Sequence, residues 1–131
     1  MIKQRIVGNN REFFDPIRKK WVPATPEEEV RQQFIQFLLM VKHIPASHLS
    51  VEREITVNGL SRRYDLVVFN EEGKPWMVVE CKAPHVKLTQ EVMEQAGRYN
   101  STLRAPIIGI TNGTENKFFR VDFETKEIEM L

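Results

Sequence analysis

Between Tyr64 and Lys82, two short apolar runs flank a polar turn, with charged residues placed where an apolar strand has no use for them. The runs are Tyr64 to Phe69 and Trp76 to Lys82. Between them, Asn70-Glu71-Glu72-Gly73-Lys74-Pro75 is rich in residues that favour turns and oppose strands. Two such runs close as an antiparallel pair. With Asn70 opposite Pro75, Phe69 faces Trp76, Val67 faces Val78 and Asp65 faces Glu80. Side chains alternate between the faces of a strand, so Asp65 and Glu80 share one face and Lys82 follows on the same side. Like charges directly opposite destabilise a sheet, and a divalent cation is the natural compensation. The plainer alternative is a cross-strand salt-bridge ladder on a solvent-facing sheet, although surface ladders are rarely flanked by such apolar runs.

The rest of the chain arranges itself around this pair. Residues 1–24 read as extended pieces, Phe13-Phe14-Asp15-Pro16 and Trp21-Val22-Pro23, laid over a core as an N-terminal arm. Thr25 as N-cap, Pro26 at the first helical position and Glu28 three residues after the cap predict a helix over 26–42 that opens with a capping box. Val30, Phe34, Phe37, Leu38 and Val41 recur on its buried side, and Pro45 ends it. A strand is expected over 49–57, and Asn58-Gly59 signals a hairpin into the Tyr64 strand. A second helix begins after Thr89, with Leu88 and Met93 as a hydrophobic staple, and continues through Val92, Ala96, Tyr99 and Leu103. The run 106–110 reads as a buried strand parallel to the Trp76 strand, because a helix connects the two. Two strands, 117–123 and 127–131, close the chain as a hairpin. The expected architecture is one α/β domain over residues 1–131, with helices flanking a mixed sheet.

Composition narrows the functional classes. A chain of 131 residues with 41% hydrophobic and 28% charged residues has room for one folded core. Its net charge of +1 gives no global basic field, although Lys3, Arg5, Arg11, Arg18, Lys19 and Lys20 oppose only Glu12 and Asp15 within residues 1–22. Cys81 is the single cysteine, which excludes an intramolecular disulfide and fits a reducing cytoplasm. His43, His48 and His85 lack zinc-ligand spacing with one another or with Cys81. No apolar run after Lys3 suggests a signal peptide, and Phe37 to Val41 is far too short to span a bilayer.

An aspartate followed by Glu-x-Lys at the end of the next strand suits hydrolysis of a phosphodiester. Two carboxylates and a backbone carbonyl, that of Cys81, form a hard-cation donor set for Mg²⁺ or Mn²⁺. A cation held there polarises the ester and lowers the pKa of bound water. Lys82 beside it orients or deprotonates that water, or neutralises charge developing on phosphorus.

These residues resemble a known motif. Tyr64-Asp65 followed by Glu80-Cys81-Lys82 is similar to the PD-(D/E)xK nuclease motif, with Tyr64 in place of its proline. Gln95 and Tyr99 resemble the glutamine-x-x-x-tyrosine helix signature that accompanies it. Thr25-Pro26-Glu27-Glu28, Val30-Arg31-Gln32, Glu80-Cys81-Lys82-Ala83-Pro84 and Thr111-Asn112-Gly113 together resemble the N-terminal nuclease domain of type I restriction enzyme R subunits, from about Phe14 onward. The resemblance implies a restriction-endonuclease-like fold and Mg²⁺-dependent DNA cleavage in a restriction context. Asp65 and Glu80 would hold the metal, Lys82 would be the catalytic lysine, and a first-helix glutamate, Glu28 or else Glu27, would assist. Gln95 and Tyr99, with Arg31, would line the DNA side. The implied partners are DNA and an ATP-driven motor or other restriction subunits in trans, since R subunits carry a motor after this domain and no phosphate-binding loop occurs in the chain.

Each assignment has a plainer reading. Glu28 already has structural work as N3 of the capping box, Gln95 and Tyr99 are four apart and can simply pair, and Arg31 can pair with a neighbouring glutamate. Cys81 alternates away from Glu80 and is expected in the core. The alternative function is a non-catalytic module that keeps the nuclease fold to hold DNA or a partner.

Overall fold

The computed structural model describes residues 2–52, 54–57 and 59–131. The N-terminal arm folds into a sheet of its own. Strands β1 (Gln4–Val7), β2 (Asn10–Asp15) and β3 (Lys20–Pro23) pair antiparallel in that order, with Gly8 at a φ of +62° in the first turn, a conformation glycine adopts without steric cost. Alternation buries Phe13, Asp15 and Val22 on one face and turns Phe14 and Trp21 to the other.

Helix α1 (Pro26–Gln36) starts as expected: Thr25 Oγ1 accepts the N–H of Glu28 at 3.1 Å. Its continuation is different. Residues Phe37–Val41 form a π-helical turn, closed by Lys42 N–H donating to the Phe37 carbonyl at 3.1 Å. The wider turn rotates the side chains off the α-helical stripe. Phe37 and Val41, expected in the core, are therefore exposed, while Val30, Phe34 and Leu38 are buried.

The main sheet has the order β11-β10-β9-β8-β7-β4. Strands β4 (Leu49–Val51), β7 (Leu66–Phe69) and β8 (Pro75–Cys81) are antiparallel neighbours. The strand expected over 49–57 is broken at Glu52, whose φ of +53° turns the chain away. The second half, β5 (Glu54–Val57), instead pairs with β6 (Leu60–Arg63) in a separate ribbon, with Val57 opposite Leu60. Gly59 lies in that turn, and Asn58 falls outside the described residues.

Register in the central hairpin agrees with expectation at Val67 opposite Val78. It slips at the turn end, where Phe69 pairs with Pro75 rather than Trp76, leaving Trp76 as the extra residue of a bulge. Pro75 cannot donate to the ladder, which suits a position where regular pairing ends.

Helix α2 (Gln90–Leu103) then crosses to β9 (Ile107–Thr111), which runs parallel to β8 as predicted. Strands β10 (Asn116–Val121) and β11 (Ile128–Met130) close the sheet as an antiparallel hairpin. One sheet face packs Leu66, Val68, Val79 and Cys81 against Val30, Phe34, Ile35 and Leu38 around α1. The other presents Val67, Val78, Ile108 and Ile110, and Ala96 of α2 packs there with the last two. The sheet therefore lies between two helical layers.

Candidate active site at the strand ends

Asp65 lies on a bend just before β7, one residue earlier than the strand expected to contain it, and Glu80 lies near the end of β8. The ladder pair Leu66 and Val79 brings the two carboxylates together. The Cys81 N–H donates to Asp65 Oδ2 at 2.7 Å and Arg31 Nη1 lies 3.3 Å from Oδ1, so both Asp65 oxygens are held. Glu80 is only 6% exposed, and its Oε2 is buried with no hydrogen-bond partner among the described residues. Lys82 Nζ is 3.9 Å from Glu80 Oε1 on a half-buried side chain.

These surroundings oppose full ionisation. Burial and the charge of Asp65 push the Glu80 pKa up to about 9, despite the opposing pull of Lys82. Asp65 is also raised, because burial outweighs its Cys81 hydrogen bond and the charge of Arg31. The pair therefore keeps a proton at neutral pH when no cation is bound. The Cys81 thiol is fully buried and pushed well up by burial, so it sits in the core as a neutral group, as its alternation away from Glu80 predicts.

The two first-helix glutamates separate clearly. Glu28 does not close the capping box; it is buried in an ion network. Its Oε1 accepts from Arg31 Nη2 at 2.6 Å and Arg18 Nη2 at 2.9 Å, and its Oε2 from Arg31 Nε at 2.9 Å and Gln32 Nε2 at 3.2 Å. These donors outweigh burial and hold its pKa low. With its oxygens committed to these donors, Glu28 has little free capacity for the ligand or base role expected of it. Glu27 is exposed yet has a raised pKa, first from partial desolvation and then from the charge of Asp65, with Lys82 opposing. Glu27 thus feels the charges of Asp65 and Lys82.

Arg31 also differs from its expected place. It is 5% exposed, and besides Glu28 and Asp65 it reaches Glu52 Oε1 at 3.0 Å. Burial opposes its charge, but the surrounding carboxylates hold it cationic. A guanidinium spent on three acids has little left for a phosphate, and Arg31 lines the wall of the site. The plainer pairing is the one found.

Three residues of this wall had no role in the sequence reading. Arg18 spans Asp15 Oδ2 at 2.7 Å, Glu28 at 2.9 Å and Glu52 Oε2 at 3.1 Å, and Gln32 donates to Asp15 Oδ2 at 2.9 Å. The Glu52 N–H also donates to the Asp65 carbonyl at 3.1 Å. The positive φ of Glu52 thus sits where the chain braces Asp65 from both backbone and side chain.

Gln95 and Tyr99 lie half-buried on α2, and Gln95 Nε2 donates to the Tyr99 hydroxyl at 3.2 Å. Beyond Lys82, Asn112 ties two loops together. Its Nδ2 donates to the Val86 carbonyl at 2.9 Å, and its Oδ1 accepts the N–H groups of Thr114 and Glu115. The Lys82 N–H donates to the Thr111 carbonyl at 2.8 Å, so the Thr111-Asn112-Gly113 stretch fixes the backbone that carries the lysine.

Among the described residues, no three His, Cys, Asp or Glu side chains form a ready metal cage. The donor set still fits a hard divalent cation: two adjoining carboxylates share a proton that a cation would replace. A cavity of about 840 Å³ lined by Phe37, Lys42, Trp76 and Leu131 contains none of these groups. No helix among the described residues is long and apolar enough to cross a membrane.

Fold and site together define a mixed α/β protein whose strand ends carry a buried carboxylate, a half-buried one beside it, and a lysine. Residues 26–131 match the family model described as Type I restriction enzyme R protein N terminus (HSDR_N), and the chain belongs to that family. Among solved structures it is similar to a fragment of a putative HsdR subunit of a type I restriction enzyme from Vibrio vulnificus YJ016. The two are 19% identical with a TM-score of 0.55, over 80% of this chain and 22% of that one, a likeness of fold. This chain thus spans about a fifth of that solved chain. No curated protein sequence matches it.

Proposed function

We propose that this chain is a metal-dependent DNA endonuclease of the PD-(D/E)xK type, working in a restriction system. The observation that carries the reading is the Asp65–Glu80 pair: a half-buried and a buried carboxylate kept together and sharing a proton, with Lys82 alongside. Burying such a pair costs stability, and a site that only bound DNA would gain nothing from keeping it.

Asp65, Glu80 and the Cys81 carbonyl would hold Mg²⁺ or Mn²⁺. When bound, the cation polarises the phosphodiester and lowers the pKa of a water molecule. The protein supplies the rest. Arg31 and the Cys81 N–H fix Asp65 in one orientation, so no reorganisation is required during reaction. Glu80 releases its proton on loading. Lys82 Nζ, attached next to a backbone braced by Thr111, orients the attacking water and stabilises charge on the phosphoryl oxygens. Glu27, exposed and coupled by charge to Asp65, acts as the assisting carboxylate through water. Gln95 and Tyr99 line the DNA side. Partners are DNA and a motor or other restriction subunits in trans. The test is incubation of supercoiled plasmid with the protein and Mg²⁺ or Mn²⁺: nicking that EDTA abolishes is expected, and intact plasmid under all conditions contradicts the reading.

A further inference from the structure

The β1–β3 sheet lies outside the family match, which begins at residue 26, yet it is built into the site. Its β2–β3 turn sends Asp15 and Arg18 into the ion network with Glu28, Gln32 and Glu52. Asp15 is fully buried, so the sheet is a fixed part of the wall around Asp65 and not a loose arm.

Its other face has a distinct chemistry. Phe14 and Trp21 are cross-strand partners with ring centroids 5.4 Å apart. Cations lie over them: Arg5 is 4.3 Å from the centroid of Trp21, and Lys3 Nζ is 5.5 Å from Phe14 and 5.7 Å from Trp21. Lys19 is exposed on the turn that carries Arg18 into the site, and Lys20 is exposed at the start of β3, opposite Asp15 and so at the edge rather than on the Phe14–Trp21 face. Arg5 pairs with Glu12 at 2.8 Å and Arg11 with Glu29 at 3.6 Å, so the sheet retains a cationic surplus after its ion pairs are counted. An aromatic ring beneath a cation keeps it in place without neutralising it. A DNA-cleaving centre made of carboxylates repels a polyanion, and the chain as a whole carries a net charge of only +1. A local cationic surface anchored to the site wall answers that repulsion.

We propose that the outer face of the β1–β3 sheet, together with the exposed β2–β3 edge beside it, is a sequence-independent contact for the phosphate backbone of duplex DNA, with Lys3 and Arg5 held on Trp21 and Phe14 and Lys19 and Lys20 at that edge. The proposal rests on the reading of DNA as substrate, and its test measures binding without cleavage. A fluorescently labelled duplex is titrated in EDTA at several salt concentrations, following anisotropy. K3Q/R5Q is expected to weaken binding about tenfold and to reduce the log–log salt slope by roughly 1 to 2, since each phosphate contact contributes about 0.9. K19Q/K20Q, which leaves the ring-borne cations in place, should lose affinity in the same direction. All four residues are exposed, and unchanged melting of both variants confirms that the loss is electrostatic. Affinity and slope within about twofold of wild type in both variants overturn the proposal, as does a wild-type protein that does not bind duplex at all. Plasmid nicking alongside unchanged binding in the variants rejects this face and leaves the nuclease reading standing. Weakened binding in the variants of a protein that never nicks supports the face and rejects the nuclease reading.

Discussion

The Cys81 N–H donates to Asp65 Oδ2 at 2.7 Å, so the bend before β7 is fastened to the end of β8 at the point where Glu80 lies. Asp65 is thus oriented by the backbone and by Arg31, whereas Glu80 Oε2 receives no N–H donor among the described residues. The two carboxylates should respond differently to removal of their charge. In EDTA, Glu80→Gln is expected to be neutral or stabilising, because it removes a poorly satisfied acid. Asp65→Asn should cost about 1–3 kcal/mol, since it weakens two held contacts. Urea unfolding of both variants checks this; equal destabilisation would make Glu80 a structural group.

The same imbalance predicts the pH dependence of metal-free protein. Glu80 has a raised folded pKa, so the folded state binds more protons than the unfolded chain between the ordinary carboxylate range and about 9. Stability from this group is complete at the acid end of that window and is lost as pH rises through it. Asp15 and Glu28 have lowered pKa values, and their contribution is lost as pH falls below the ordinary carboxylate range. The melting temperature in EDTA should therefore peak near about pH 5–6 and decline toward about pH 8. In Glu80→Gln the alkaline decline should largely vanish; an unchanged decline in that variant counts against the assignment.

Cation binding must displace the proton the pair retains. Calorimetric titration with Mn²⁺ near neutral pH should release about one proton, seen as an enthalpy that varies with the buffer's ionisation heat. Asp65→Asn and Glu80→Gln should each weaken binding by at least about tenfold. Identical titrations in wild type and both variants would leave only a salt-bridge ladder.

Much of this arrangement is legible in the sequence because its causes are local. Thr25 caps α1, the alternation at Val67 and Val78 sets the register, and the helix before Ile107 makes β9 parallel to β8. The pairing of Asp65 with Glu80 follows from that register. The ion network is not local: Arg18 meets Glu52 and Arg31 meets Asp65 across 34 residues each. No spacing rule announces that Glu28 will be drawn inward by two arginines. The three-stranded N-terminal sheet had a signal that was available, Gly8-Asn9 between two alternating runs. The π turn at Phe37–Val41 had none, since its sequence is an ordinary apolar helical run.

The first-helix glutamates should separate by experiment. Glu28→Gln removes a buried charge that two arginines face, and should destabilise by about 2–4 kcal/mol. Glu27→Gln should leave the melting temperature unchanged and lower nicking and Mn²⁺ affinity. The opposite pattern, a silent Glu28→Gln in unfolding and a silent Glu27→Gln in nicking, would return the role to Glu28.

The most direct measurement compares supercoiled-plasmid nicking by wild type and Lys82→Ala, with Mn²⁺ binding recorded for both. Lys82 acts mainly in the transition state, so its loss should lower cleavage by about 10²–10⁴-fold and leave metal affinity and melting close to wild type. Lys82→Arg should not rescue, because a planar, permanently charged guanidinium cannot take a proton from water. Nicking by purified Lys82→Ala at the wild-type rate would contradict the assignment of Asp65, Glu80 and Lys82 as the catalytic centre.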